Sequence, residues 1–166
     1  MLRLLVVGVS AVLLGGVAWA AEWGLGGRIS PFTLADQNGV EHRVDANVRV
    51  IILSPDMDAG DVVKIALARH GKGLLTKHDA VYLADVSGMP GMVRRMFVLP
   101  KLKERPYPML LDAEGDIARK LPRREGFASL IFLDRLRVGA VEYVGTADGL
   151  IASLKAPKNL VSKSSD

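Results

Sequence analysis

The chain has 166 residues, enough for one domain with a sizeable core. Its 49% hydrophobic and 24% charged residues place it among ordinary globular proteins and exclude a disordered class. A net charge of +4 is too mild to imply nucleic acid, and zero cysteines rule out disulfides, thiol catalysis and thiolate metal sites.

The chain opens with "MLRLLVVGVSAVLLGGVAWA". Arg3 is the one charge in this stretch, and Ala18-Trp19-Ala20 closes it as a small-x-small cleavage pattern. It reads as a secretory signal peptide over 1–20, implying a periplasmic or secreted protein. Left uncleaved, the uncharged run from Leu4 to Ala20 is near the lower length for an N-terminal membrane anchor, which would be the one membrane contact. No cysteine follows the cleavage pattern, so lipid attachment there is excluded. Residues 21–28, "AEWGLGGR", form a Gly-rich lead-in to a domain expected over 29–155.

"ISPFTLADQNG" predicts a strand running into a turn at Asn38-Gly39, with "EHRVD" as the return strand. "VRVIILS" is a continuous apolar run, as expected of a central strand covered on both faces. After Ser54-Pro55 an acidic loop leads into a helix through Val62, Ile65, Ala66 and Leu67 to Arg69-His70, ended by Gly71. Asp58 or Asp61 is expected to cap it. "AVYLADV" predicts a second central strand. "GMVRRMFVL" predicts a helix stopped at Pro100. "YPMLLD" predicts a strand, and "EGDIARKL" a turn and short helix. "FASLIFLD" and "VGAVEYVG" predict a hairpin across "RLR", and "ADGLIASLK" a final helix. A polar tail over 156–166 follows. The order predicts an α/β sandwich with a central mixed sheet flanked by helices. Ile51, Ile52, Leu53, Val81, Leu83, Leu110, Leu111, Leu130, Ile131 and Phe132 are its expected core.

These segments, taken in order, resemble the thioredoxin-like superfamily in its peroxiredoxin-like branch. Phe32, Leu34, Asp36 and Gly39 match the opening hairpin, and "VIILSPDMDAGDVVKIAL" resembles the strand, proline and active-site helix. Tyr107-Pro108 through Asp112, Gly115 and Ile117-Ala118 resemble a further family segment, and "GFASLIFLDRLRVGAVEYVG" the last hairpin. The resemblance spans about residues 29–155 and implies a thioredoxin-like three-layer sandwich. The family's threonine and peroxidatic cysteine fall near Ala59 and Val62, and its third site residue at Ala128. None of the three can attack or polarise a peroxide, so the resemblance carries a fold without its activity.

What remains is a candidate crevice at the degenerate active-site position, made of Ser54, Asp56, Met57, Asp58 and Ala128. Met89, Met92 and Met96, spaced by three and four, are the soft-ligand candidates for Cu(I). His42, His70 and His78 are scattered and form no metal-spaced pair. Asp56, Asp58 and Asp61 lack the further oxygens of a calcium loop. The basic residues Arg94, Arg95, Lys101, Lys103, Arg105, Arg119, Lys120, Arg123 and Arg124 alternate with apolar residues and carry few aromatics among them, which argues against nucleic acid. No phosphate-cradling glycine loop supports a nucleotide or flavin, and no cofactor is expected. Two readings follow. One is an exported, redox-inactive, non-catalytic binding or scaffold module whose partner is a periplasmic protein or peptide. The other is a Met-based periplasmic copper-handling protein, or an enzyme with an unrecognised site.

Overall fold

The computed structural model describes residues 22–156. The signal peptide expected over 1–20 and the tail beyond Ala156 lie outside the described residues. Among those described, no helix is long and apolar enough to cross a membrane.

The elements in chain order are β1 (Phe32–Ala35), β2 (Glu41–Val44), β3 (Val50–Ser54), α1 (Met57–His70), α2 (Gly73–Lys77) and β4 (Ala80–Asp85). Then come α3 (Gly91–Val93), a π turn (Arg94–Val98), α4 (Leu99–Lys103), β5 (Leu110–Asp112), β6 (Ala128–Asp134), β7 (Arg137–Val144) and α5 (Ala147–Lys155). Five strands form one mixed sheet in the order β5-β4-β3-β6-β7, parallel across β3–β4 and β4–β5 and antiparallel across β3–β6 and β6–β7. The fold is thus α/β, with a mixed five-stranded sheet flanked by helices.

Strand β3 is buried along its whole length, which is why its sequence shows no polar alternation. Its side chains still alternate between two cores. Val50 and Ile52 join Val63, Ala66 and Leu67 of α1, Leu74 and Leu75 of α2 and Leu150 of α5. Ile51 and Leu53 face Trp23, Ile29, Val44 and Leu121. The lead-in therefore belongs to the packed unit. Trp23 is buried and stacks on Phe32 with centroids 6.0 Å apart, and Ile29 N donates to Leu136 O at 2.8 Å. The β1–β2 hairpin stands apart from the main sheet and is tied to its edge by Gln37, whose side chain donates to Tyr107 O at 2.8 Å and accepts from Met109 N at 2.9 Å.

Of the expected core, Val81 and Leu111 are half-buried and the others buried. Leu111 sits on the edge strand. Strand β5 pairs with β4 only from Leu83 onward, so Val81 has no neighbour on that side. On α1 the buried stripe is Ala59, Val63, Ala66 and Leu67, while Ile65 lies off that stripe and is 44% exposed.

Two further expectations are corrected. The helix after β4 does not stop at Pro100. The backbone shifts to π geometry, Leu99 N–H bonding back to Arg94 O, and helix resumes through Lys103. Proline lacks an N–H and crowds the carbonyl four residues back, and the wider turn relieves both. "EGDIARKL" forms hydrogen-bonded turns in place of a helix. Its donors are drawn back to the buried Asp112 carboxylate, which accepts from Gly115 N at 2.9 Å, Ile117 N at 2.9 Å and Ala118 N at 2.7 Å. Gly115 is required here, since its φ is +73 and a Cβ would meet Ser87 Oγ at 2.6 Å.

Candidate functional site

Strand β3 ends at Ser54, and Pro55 breaks the ladder before α1 begins. Asp56 has extended backbone, φ −154 and ψ −177, which lets its side chain swing back over the first turn. Its Oδ1 accepts from Ala59 N at 2.9 Å, and its Oδ2 accepts from Gly126 N at 2.7 Å. One carboxylate thus caps the helix and fastens the loop that enters β6, where Gly126 takes a φ of +75. This corrects the expectation that Asp58 or Asp61 is the cap. Both already lie within α1 with helical backbone, so neither can reach back. Asp58 stands exposed in the first turn, and Asp61 pairs with Lys64 at 2.6 Å.

The other crevice candidates are divided by burial. Ser54 and Ala128 are buried, and Met57 is 74% exposed. Ser54 Oγ lies 3.0 Å from Tyr82 Oη, and burial pushes the Tyr82 hydroxyl up to about 12, against the pull of that hydrogen bond. Ala59 and Ala128 are fully buried and Val62 is half-buried. The positions matched to the family's reactive residues are therefore filled with apolar side chains. Only Met57 and Asp58 of the proposed crevice reach solvent freely.

The same closure is repeated along the sheet. Parallel strands tend to place ligand sites at their carboxyl ends. Here each of the three parallel strands carries an aspartate at or just after that end, and each is committed to the fold. Asp85 ends β4 and accepts from Ser87 N at 3.1 Å, Ser87 Oγ at 2.6 Å and Arg123 at 3.1 Å. Asp112 ends β5 and holds three amides, as above. Asp56, Asp58 and Asp61 do not converge, and among the described residues no three His, Asp or Glu side chains group to hold a metal ion. The sequence signal for this pattern was present: Asp85 precedes Ser87 by two residues, and Asp112 precedes Gly115 by three, the spacing at which an Asp side chain bonds the following backbone.

The methionines divide as well. Met89 packs against the helix-side core, Met109 is buried, and Met57, Met92 and Met96 are 74%, 75% and 61% exposed. The basic residues are largely spent locally. Arg94 holds Val86 O and Ala113 O, Arg119 reaches Glu114 O, Arg124 lies over Phe127 at 4.1 Å, and Lys120 over Trp23 at 5.3 Å.

His42 Nε2 lies 2.9 Å from Asp36 Oδ2. Burial by itself raises the Asp36 carboxyl, but the hydrogen bonds from His42 and from the Asn38 and Val40 amides, with the charge of His42, leave it below its ordinary 3.8. His42 borders a cavity of about 290 Å³ at the other end of the sheet, with Lys72, Thr76 and Asp79. Its polar lining mixes both charge signs. His70 ends α1, and burial with the nearby Lys77 lowers His78.

No family model matches the chain, and no curated protein does. Solved structures match in fold. Peroxidoxin BcpB of Mycobacterium tuberculosis is 21% identical with a TM-score of 0.52, covering 81% of this chain and 97% of that one. The exposed lipoprotein thioredoxin of Streptococcus pneumoniae is 12% identical with a TM-score of 0.54, covering 76% and 98%. An uncharacterized conserved protein of Geobacillus kaustophilus is 18% identical with a TM-score of 0.52, covering 85% and 87%. At these identities the likeness is one of fold. The chain has a thioredoxin-like, peroxiredoxin-like fold that carries no cysteine.

Proposed function

We propose that the protein is an exported, redox-inactive thioredoxin-like domain that acts as a binding module rather than an enzyme. One observation carries this reading. The position that the resemblance assigns to a nucleophile holds Val62, and the α1 N-terminus before it is capped by the Asp56 carboxylate, both of whose oxygens are held by backbone amides. Peroxide or disulfide chemistry needs a nucleophile there, and a carboxylate engaged in this way supplies none. Export rests on the first twenty residues. The partner is a protein or peptide of the same compartment, engaged at the lip where Met57 projects. The test is affinity capture from periplasmic extract by the full chain and by Met57→Glu. A partner retained by the first and lost by the second supports the reading, and identical capture by both contradicts the site.

A copper-handling role is the second reading. It is favoured by the exposure of Met57, Met92 and Met96 after the ends of neighbouring parallel strands. Titration with Cu(I) against a competing chelator separates the two. Stoichiometric uptake lost in Met92→Leu and Met96→Leu would establish the copper reading, and no uptake would remove it.

A further inference from the structure

The helical stretch from Gly91 to Lys103 buries none of its residues. It is nonetheless fixed to the domain. Arg94 donates through Nη1 to Val86 O and Ala113 O, both at 3.2 Å, so it grips the ends of β4 and β5. Met89 just before the stretch, and Leu102 within it, pack against the helix-side core. Between that polar grip and Leu102, Val98 and Leu99 are half-buried, and four other apolar side chains are left facing outward. Met92 is 75% exposed, Val93 43%, Met96 61% and Phe97 62%. Met92 with Met96, and Val93 with Phe97, stand four apart and form two adjoining rows. Soluble surfaces rarely leave such side chains grouped without a use.

The charge within the stretch has one sign. Arg94, Arg95, Lys101 and Lys103 lie in the stretch, and no acidic residue occurs between Asp85 and Glu104. Arg95, Lys101 and Lys103 are exposed, and no ion pair among the described residues engages them. An outward-facing helix with an apolar strip and basic flanks is the form that lies in a lipid interface. Its apolar side chains enter the boundary between headgroups and acyl chains while its cations meet phosphates.

We propose that Gly91–Lys103 docks the domain on an anionic phospholipid bilayer, with Met92, Val93, Met96 and Phe97 inserted and Arg95, Lys101 and Lys103 on lipid phosphates. The proposal stands independently of the binding role assigned to Met57. The probe is the full chain with vesicles of phosphatidylcholine alone, or of phosphatidylcholine mixed with phosphatidylglycerol. Hydrogen exchange is followed at the amides of residues 91–103. The N-terminal stretch is common to every arm and is read separately. The expected result is slowed exchange over 91–103 with the anionic vesicles alone, reversed by high salt and abolished in Phe97→Glu. Lys101→Ala and Lys103→Ala should each weaken vesicle binding about fivefold, with an unchanged unfolding midpoint. Unchanged exchange on anionic vesicles would overturn the proposal, as would equal slowing on neutral ones. Slowing that grows with protein concentration without lipid would assign the face to a second copy. Slowing produced equally by polyglutamate would assign it to an acidic protein. Either outcome overturns the lipid assignment.

Discussion

Asp56 and Asp58 are two residues apart and chemically identical, yet only one of them organises the junction. The difference is backbone. Asp56 is extended and precedes the first helical residue, so its carboxylate covers the free amide of Ala59 and reaches across to Gly126. The acidic loop was legible as a capping loop, but which aspartate does the capping was not, because that depends on where helical backbone begins. Replacing Asp56 by Ala should lower stability by about 1–3 kcal/mol, since a cap and a second amide lose their acceptor together. Asp58→Ala and Asp61→Ala should each change it by less than about 1 kcal/mol, Asp61 losing only an exposed ion pair with Lys64. Asp36 gives a second prediction at this scale. Its carboxyl lies below its ordinary 3.8 in the fold. A depressed carboxyl contributes stability that is present above the unfolded value and lost as pH falls through the folded one. Urea midpoints measured down the acid limb should fall less steeply in Asp36→Asn than in the parent chain, and equal slopes would contradict the assignment.

Among the elements, strands were the most legible. "VRVIILS" and "AVYLADV" are apolar runs too short for buried helices, and the Asn38-Gly39 turn announces its hairpin. The buried centre tests their placement. Ile52 and Leu83 are fully buried on opposite sides of the sheet, and truncating either to Ala should cost about 2–5 kcal/mol in urea unfolding. A loss below about 0.5 kcal/mol at either site would contradict the strand assignments. Less legible were elements whose form is decided by a distant or polar partner. "EGDIARKL" has helix-forming residues, but Asp112 captures the amides that a helix would have pointed along its axis. "GMVRRMFVLPKLK" shows apolar residues at helical spacing, which does not tell which of them turn inward. Leu102 packs on the core and the Arg94 guanidinium grips the strand ends, while Met92, Val93, Met96 and Phe97 are left exposed.

At the scale of the molecule, the order and spacing of the segments pointed to the fold although each segment alone is short. Parallel β3, β4 and β5 with antiparallel β6 and β7 form the mixed sheet that this order implied. The site was legible mainly through what it lacks. The missing cysteine is read directly, and Ala59, Val62 and Ala128 stand at the matched positions. The aspartates that close the strand ends were not legible as a set, because their common role appears only when the sheet brings Asp56, Asp85 and Asp112 to one edge of the fold. On the function proposed above, this thioredoxin-like domain carries a closed, carboxylate-fastened junction in place of a redox site. Incubation of the metal-free protein with hydrogen peroxide, and with insulin and a dithiol reductant, tests it most directly. Peroxide consumption and insulin reduction should equal those of a protein blank, and sustained turnover above that blank would rule out a redox-inactive domain.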